Sequence, residues 1–483
     1  MCTPFLTQAC LAQEAPADIT DSLYATYENY RENSLKKRRI KHNDLQPLIT
    51  EFSKNAGFSV NKVGSSIKGK PLFLISTGSG DIDVFLWSQM HGDEPTATQA
   101  IFDILNFLKS EDFSEEKKYI LSRLRLHFLP MLNPDGAEIY QRRNTLGVDI
   151  NRDALRLQSP EGRTLKRVRD SLAADFGFNL HDQSIYYNAE RTSKPATISY
   201  LAPAYNYEKD INEVRGNAMK IIVFMNDIIQ RYAPGQVGRY NDDFEPRAFG
   251  DNIQKWGTSA ILIESGGYPE DVEKQFIRKL NYVSILAAIY AIATKAYADI
   301  PLSAYEMIPE NDRKLFDLKL TKLTYNLLGE DYLLDLGIHR LEVDKSGHGD
   351  FLYKSSIADQ GDLSTFYAYD TLNAEGYRVI GAKAYPEILP GLEEAEKLDP
   401  RELLRSGYAY LRLSALPKDL ESSPLPLHLV RPDYKVPALY LNIGINPTFF
   451  LQKDGTIHYA VINGFLINLQ DGLDEFGNAL IYR

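Results

Sequence analysis

Short apolar runs alternate with amphipathic stretches between residues 71 and 297, and this alternation constrains the fold more than any other feature. Strand-like runs such as LRLHFLPML (124–132) and SAILIESGG (259–267) are separated by stretches with apolar residues at helical spacing. Strands that alternate with helices form a largely parallel sheet covered on both faces. We therefore predict an α/β fold with a mixed, largely parallel central sheet and helices on both faces. The runs flanking TGSGD (77–81) predict a hairpin or adjacent strands.

The sequence changes character near residue 299. Pro and Tyr recur beyond this point, and PTFFLQKDGTIHYAVINGFLI (447–467) contains two alternating runs joined by Asp454-Gly455. A chain of 483 residues also exceeds the usual size of one domain. We therefore predict an α/β domain at 20–299, which carries all the candidate chemistry, and a smaller β-rich domain of unknown role at 300–483.

The first 19 residues form a separate segment. They pass from an apolar start through small residues to an acidic stretch, which is typical of the remnant of a secretory signal. No Lys or Arg precedes Arg31, so the positive region of such a signal is missing, and a disordered start is the alternative. The signal interpretation favours a periplasmic or secreted location over a cytoplasmic one.

Composition excludes several partners. The net charge is −11 and the one basic run is LKKRRIKH (35–42), so we predict no nucleic-acid partner. No unbroken apolar run approaches the roughly 18 residues that span a bilayer, so we predict no transmembrane segment. Both cysteines, Cys2 and Cys10, lie at the start, so any metal in the body of the chain must be held by histidine and carboxylate groups.

Polar residues follow the predicted strands where each strand ends. His91 and Glu94 lie in WSQMHGDEPT (87–96), NPDG follows at 133–136, His181 ends a third strand and Glu264 a fourth. The carboxyl ends of strands line the ligand crevice of an α/β sheet. Two histidines and one glutamate form a catalytic zinc set that leaves a fourth position for water. His127 lies inside LRLHFLP and is predicted to be a packed strand residue.

These motifs, in this order, resemble those of the zinc metallocarboxypeptidases, the carboxypeptidase A and B class with its bacterial relatives. The resemblance covers about residues 45–297 and none of the tail. It rests on His91-x-x-Glu94, Asn133-Pro-Asp-Gly, Arg142 followed by Gly147-Val-Asp149-x-Asn151-Arg152, His181 before Asp-Gln, and Glu264.

The resemblance implies one zinc ion per chain. By that resemblance His91, Glu94 and His181 are the zinc ligands, and Asp149 is the carboxylate that orients His91. Glu264 is implied as the general base, with Glu190 as the alternative.

The resemblance also implies a peptide substrate with a free C-terminal carboxylate. Asn151 and Arg152 resemble the clamp for that carboxylate, and an arginine fork binds a planar carboxylate better than a lysine does. Arg142 resembles the group that faces the scissile carbonyl, with neighbouring Arg143 as the alternative register. Tyr240 is the nearest candidate for the tyrosine that caps the substrate.

The implied function is zinc-dependent removal of C-terminal residues from peptides. Three alternatives remain: a zinc deacylase of the aspartoacylase and succinylglutamate desuccinylase kind, an endopeptidase acting on cell-wall peptides, and a silent binding domain that kept the fold. Asp93, Asp182 and the Ser-Gly-Gly after Glu264 depart from the family pattern. They are predicted to alter the rim of the site and leave its side-chain preference open.

Overall fold

The computed structural model describes residues 18–470 and 477–483. The predictions of a secretory remnant or a disordered start fall on residues 1–17 almost entirely and therefore lie outside the described residues.

Twelve α-helices lie in the described part of the chain. Two further single turns, Tyr27–Asn29 and Ile150–Arg152, are 3-10 helices. The α-helices are α1 (Thr20–Thr26), α2 (His42–Ser53), α3 (Thr96–Lys109), α4 (Ser114–Arg123), α5 (Pro134–Glu138), α6 (Pro160–Leu172), α7 (Glu213–Tyr232), α8 (Phe249–Lys255), α9 (Gln275–Thr294), α10 (Ser303–Glu306), α11 (Leu392–Ala395) and α12 (Pro400–Arg405).

The strands of the described residues fall into a first group, up to residue 265, and a long second group beyond residue 310. The first group is β1 (Ser59–Ser65), β2 (Pro71–Gly78), β3 (Ile82–Ser88), β4 (Leu124–Leu129), β5 (Phe176–Asp182), β6 (Asn188–Ala189), β7 (Ile198–Leu201), β8 (Val237–Arg239) and β9 (Ser259–Ser265). The second group is β10 (Asn311–Asp312), β11 (Leu315–Leu327), β12 (Glu330–Asp344), β13 (Phe351–Gly361), β14 (Tyr367–Asn373), β15 (Arg378–Gly381), β16 (Lys383–Leu389), β17 (Tyr408–Leu413), β18 (Ser422–Ser423), β19 (His428–Val430), β20 (Phe449–Lys453), β21 (Thr456–Ile462), β22 (Phe465–Asn468) and β23 (Ala479–Tyr482).

The chain divides into two compact units, which we describe separately. The first unit comprises residues 18–183, 198–265 and 271–310, and the second comprises the remaining described residues. The first unit contains an eight-stranded sheet in the order β1-β2-β4-β3-β5-β9-β7-β8. The four central strands β4, β3, β5 and β9 run parallel, and antiparallel pairs flank them. The predicted mixed, largely parallel α/β sheet is confirmed.

Both faces of this sheet are covered. Strand β3 is buried along nearly its whole length, which requires packing on both sides. Phe85 and Trp87 pack in one cluster with Leu165 of α6 and Phe249 of α8. Helices α3 and α7 contact β5 and β9. The sheet is thereby enclosed, and the carboxyl ends of its central strands remain for the candidate site.

The predicted pairing across TGSGD is wrong. Strand β4 lies between β2 and β3, antiparallel to the first and parallel to the second. The backbone N–H of Ser79 donates to Leu121 O (2.8 Å). This bond joins the TGSGD connection to α4, and β3 does not pair with β2 as a hairpin would. Because β3 has parallel partners on both sides, it lies at the centre of the sheet.

The second unit is β-rich, as predicted. Its described residues form a sheet in the order β13-β12-β11-β15-β20-β21-β22 and a second one in the order β16-β17-β19-β23-β18. Strands β20 and β21 form an antiparallel hairpin across Asp454 and Gly455. Both turn residues have positive φ, as a two-residue turn of this kind requires.

The two units divide the chain differently from a single cut at 299. Residues 300–310 group with the first unit because the buried Tyr305 accepts a hydrogen bond from Ala202 N through its hydroxyl (3.0 Å). Two short segments, 184–197 and 266–270, group with the second unit. Within that unit β6 pairs with β10. The sequence could not indicate these long-range groupings.

Helix α9 is long and apolar enough by length and composition to cross a membrane, although polar residues interrupt its apolar sequence. Its most apolar window has a mean hydropathy of 1.4, and 89% of that window is buried inside the protein. Within the first unit α9 contacts α3 and α7. The helix thus forms part of the core of that unit.

Candidate metal centre

Three predicted ligands converge at the carboxyl ends of β3 and β5. His91 and Glu94 lie between β3 and α3, and His181 directly precedes Asp182, the last residue of β5. Potential ligand atoms of the three residues all lie within 4.8 Å of one another, and the three residues are buried. Glu94 Oε1 lies 2.8 Å from His91 Nδ1, and Glu94 Oε2 lies 2.7 Å from His181 Nδ1.

The donor set fits zinc. Two imidazole nitrogens and one carboxylate are the protein ligands of catalytic zinc sites that keep one open position. His181 Nε2 is buried and has no hydrogen-bond partner among the described residues. Burial tends to raise the pKa of Glu94, but the two neighbouring histidines hold it well below its usual range. The carboxylate is therefore ionised and ready to act as a ligand.

Asp149 accepts a hydrogen bond from His91. Its Oδ1 lies 3.1 Å from His91 Nε2 and also accepts from Asn151 N (3.0 Å). Burial acts to raise the pKa of Asp149, but bonding to His91 and Arg142 keeps it well below its usual range. An ionised acceptor on Nε2–H fixes the tautomer of His91 and leaves the lone pair of Nδ1 on the side of Glu94, where it can bind a metal.

Arg142, and not Arg143, lies beside the ligands. Arg142 Nη1 lies 3.1 Å from His91 Nδ1 and 3.2 Å from Glu94 Oε1, while its Nε donates to Asp149 Oδ2 (3.0 Å). Arg143 donates to Gly147 O in an exposed loop. The alternative register is therefore not needed to bring an arginine to this cluster.

The close approach of two loops brings Arg142 to His91. Gly92 N donates to Gln141 O (3.0 Å), and a Cβ on Gly92 would lie only 2.1 Å from the carbonyl carbon of Gly136. Only glycine fits there. Asn133 caps α5 and donates to Arg142 O (3.3 Å). The HGDE and NPDG motifs thus act together to place the guanidinium.

Glu264 lies directly opposite His181 in the parallel pairing of β5 and β9. Its Oε2 is shielded from solvent and has no hydrogen-bond partner among the described residues. Burial, reinforced by the negative charge of Glu94, raises the pKa of Glu264 well above its usual range. A carboxyl group of this kind can take up and return a proton. The alternative base Glu190 belongs to the second unit and forms an ion pair with Arg191.

Asn151 and Arg152 occupy the 3-10 turn directly after Asp149. Asn151 Oδ1 accepts from Phe249 N at the start of α8 (3.0 Å). Arg152 Nη1 donates to Asn151 O (3.0 Å), and its Nε lies 3.6 Å from Glu245 Oε2. About a third of the Arg152 side chain is exposed. The guanidinium is thus reachable from solvent, whereas the amide oxygen of Asn151 is already bonded.

Tyr240 follows β8, where its backbone N–H donates to Tyr200 O (3.0 Å). The substrate-capping role of Tyr240 stays a prediction. His127 lies within β4 and is buried, in keeping with its predicted place inside a strand.

The carboxylates expected at the rim are largely shielded. The Oδ1 atoms of Asp93 and Asp182 are both buried without a partner among the described residues. Burial, with the charge of Glu94, raises the pKa of Asp93 to about 6. Asp182 Oδ2 accepts from Thr96 Oγ1 (2.6 Å) and from Lys274 Nζ (3.0 Å).

Lys274 was not predicted from the sequence to lie beside the candidate site. Its Nζ donates to Asp182 Oδ2 and to Ser265 O, both at 3.0 Å. These acceptors belong to the residues that directly follow His181 and Glu264. One buried cation therefore ties together the two strand ends that carry a ligand and the candidate base. No local motif marks Lys274. Asp182 lies 92 residues before it in the chain, and Ser265 is connected to it through a turn.

We expect Lys274→Met to lower the free energy of unfolding by about 3–5 kcal/mol, because the buried carboxylate of Asp182 loses its ionic partner. Urea unfolding followed by circular dichroism measures this loss. The double variant Lys274→Met/Asp182→Asn should recover part of the stability. Equal stability of the single variant and the wild type would contradict the strand-tying role.

We expect His181→Ala to lose bound zinc, because two remaining ligands bind the ion far more weakly than three. Elemental analysis of purified, dialysed protein measures the zinc content per chain. The control is His348→Ala, which removes a half-exposed histidine paired with Asp344 in the second unit. Full zinc occupancy in His181→Ala would refute the ligand assignment.

The fold and donor set together define an α/β unit with a candidate His-Glu-His metal centre at the carboxyl edge of its sheet. Residues 50–202 match the zinc carboxypeptidase family, and this segment contains all three ligands and Asp149. The resemblance seen in the motifs is thereby confirmed for this segment.

Similar proteins include carboxypeptidases from other organisms. Carboxypeptidase SOL1 of Arabidopsis thaliana is 29% identical over 222 residues, which is 39% of this chain and 45% of that protein. Carboxypeptidase E of Caenorhabditis elegans is 29% identical over 154 residues, covering 28% of this chain and 30% of that protein. The chain thus spans less than half the length of these relatives. A metallo-carboxypeptidase structure from Burkholderia cenocepacia matches 53% of this chain and 69% of its own, with 15% identity and a TM-score of 0.43.

Proposed function

We propose that the first unit is a zinc-dependent carboxypeptidase that removes residues from the C-terminus of peptides, with one zinc ion bound by His91, Glu94 and His181. The observation that carries the proposal is the pairing of His181 with Glu264 across β5 and β9. This pairing puts a shielded carboxyl group beside the metal ligands. A shielded carboxyl group with a raised pKa at this position supports hydrolysis over binding alone.

Each candidate residue has a separate role in the proposed hydrolysis. His91, Glu94 and His181 would hold a zinc ion, which would lower the pKa of a bound water molecule and polarise the scissile carbonyl. Glu264 accepts the proton of the attacking water and returns it to the leaving amine. The Arg142 guanidinium supplies positive charge where the carbonyl oxygen becomes negative. Its contacts with His91 (3.1 Å) and Glu94 (3.2 Å) support this role.

Arg152 is proposed to hold the terminal carboxylate of the substrate. Its side chain is partly exposed and its carboxylate neighbour, Glu245, lies at 3.6 Å, which is long for a strong ion pair. A substrate carboxylate can form the shorter, two-pronged contact that Glu245 does not. The bond between Asn151 and Phe249 N fixes the turn that presents Arg152.

We expect a peptide with a free C-terminus to be cleaved about 100-fold faster than its amidated twin, because the amide leaves a charged donor without its acceptor. Mass spectrometry of single-residue release from the two peptides measures the ratio. Arg152→Lys should reduce the preference while zinc content stays unchanged, and Arg143→Lys in the exposed loop is the matched control.

The same assay separates the alternatives. Equal cleavage of both peptides, or release of internal fragments alone, would support an endopeptidase. Hydrolysis of an acylated amino acid without peptide cleavage would support a deacylase. The absence of all hydrolysis from zinc-loaded protein would support a binding domain. Each of these outcomes would overturn the carboxypeptidase proposal.

A further inference from the structure

A serine, a histidine and an aspartate lie in line across β2, β4 and β3, outside the candidate metal centre. Ser76 and His127 are directly opposite each other in the antiparallel pairing of β2 and β4. Ser76 Oγ lies 2.8 Å from His127 Nδ1, and His127 Nε2 lies 2.8 Å from Asp83 Oδ1. The three groups therefore form one continuous hydrogen-bonded chain from hydroxyl to carboxylate.

The donors and acceptors of these three side chains are arranged as they are around a nucleophilic serine. The carboxylate accepts from Nε2–H, which leaves the lone pair of Nδ1 facing the serine hydroxyl. A base held by a third group beside a hydroxyl is the arrangement that makes serine nucleophilic, and it is recognised by geometry on unrelated folds. Burial lowers the pKa of His127 below its usual range. The imidazole is therefore neutral at neutral pH and able to accept the proton.

Asp83 is held in place from its other side. Arg125 donates from Nε to Asp83 Oδ1 (2.9 Å) and from Nη2 to Oδ2 (2.5 Å). Strands β3 and β4 pair Asp83 with Arg125 directly, so the carboxylate has little freedom to leave His127. The acceptor that fixes the His127 tautomer is thus itself fixed by two charge-assisted bonds.

A surface pocket of about 320 Å³ opens on this chain of bonds. Its lining includes Ser76, His127 and Arg125, together with the apolar groups of Ala56 and Phe58. The hydroxyl is consequently accessible to a small molecule, unlike that of a serine sealed in a core. Arg125 also brings a positive charge to the wall of this pocket.

We propose that Ser76 is the nucleophile of a second hydrolytic site, which takes small carboxylic esters and needs no metal. Ser76 Oγ attacks the ester carbonyl, and its proton passes to His127 Nδ1. The carbon–oxygen bond of the ester breaks, and the departing alkoxide takes that proton. Water then attacks the acyl-serine through the same base, which releases the acid and restores Ser76. Asp83 positions the imidazole, and the short acyl group lies against Phe58.

The test uses the full chain and a fluorophosphonate probe. Attack by Ser76 forms an oxygen–phosphorus bond, breaks the phosphorus–fluorine bond and releases fluoride with the proton. Intact-mass and peptide mass spectrometry should show a single adduct on Ser76. Ser76→Ala should give no adduct at this position, and His127→Gln should label about 100-fold more slowly.

Two controls separate this site from other causes of labelling. Ser59→Ala, which alters a serine lining the same pocket, should label at the wild-type rate. Treatment with 1,10-phenanthroline, which removes zinc, should leave labelling unchanged. An adduct elsewhere, labelling that stops with the chelator, or no adduct on Ser76 of folded wild-type protein would each overturn the proposal.

Discussion

Glu264→Gln should lower kcat/KM for peptide hydrolysis by about 10²–10⁴-fold while the protein keeps its full zinc content. Glu264 is not among the three clustered ligands, so the substitution leaves the donor set intact. Glutamine has nearly the same shape as glutamate and therefore fits the shielded position opposite His181. It cannot take a proton from water, so only the chemical step is lost.

Two measurements decide this prediction. Steady-state kinetics on a free C-terminal peptide gives the loss of turnover, and elemental analysis gives the zinc content of the same preparation. The matched control is Glu190→Gln, which alters the other candidate base in an exposed ion pair. Normal turnover of Glu264→Gln together with inactivity of Glu190→Gln would transfer the role of base to Glu190.

A chain cut at residue 299 should be far less stable than the full chain, although 299 is where the sequence changes character. The cut removes Tyr305, which is fully buried and accepts from Ala202 N in the first unit. Loss of a buried aromatic side chain costs about 3–5 kcal/mol. The cut also removes the residues beyond 310 that form hydrogen bonds with segment 184–197.

Segment 184–197 makes several contacts with residues beyond 310, and the cut at 299 removes all of these contacts. Tyr186 donates through its hydroxyl to Asp317 Oδ2 (2.7 Å) and stacks on His339 with ring centroids 3.8 Å apart. Ile185 O accepts from the Tyr369 hydroxyl (2.6 Å). Without residues 311–483 these buried groups lose their partners, and the segment begins directly after β5, which carries His181.

Urea unfolding of three chains tests this expectation. The full chain should be the most stable, residues 20–310 less stable, and residues 20–299 the least stable or insoluble, with the last step worth about 3–5 kcal/mol. The comparison of 310 with 299 isolates Tyr305 and its neighbours from the loss of the second unit. Equal midpoints for all three chains would show that the segments beyond 299 contribute nothing to the stability of the first unit.

The candidate site was foreseeable from the sequence to an unusual extent because its residues come from strand ends. His91, Glu94, His181 and Glu264 each follow an apolar run, and parallel strands bring their carboxyl ends to one edge. The choice between Arg142 and Arg143 was not foreseeable. It depends on the approach of Gly92 to Gly136, a contact between loops more than 40 residues apart.

Lys274 and the serine–histidine–aspartate chain were not foreseeable for the same reason. Lys274 has no sequence neighbour among the groups it binds, and Ser76 meets His127 only because β4 inserts between β2 and β3. The sequence predicted that β2 and β3 would be adjacent, since turn residues separate them. Local turn preference does not indicate which later strand will lie between β2 and β3.

The sequence by itself determined the class of fold, the candidate metal donors and the β-rich nature of the second unit. These properties follow from periodicity and residue type, which are local, and from the rule that strand ends meet at one edge. The tertiary structure alone decided the strand order, the arginine beside the ligands, the lysine that ties β5 to β9, and the assignment of 184–197 and 266–270 to the second unit. Each of these depends on contacts between distant residues, whose energies appear only when the whole chain has packed.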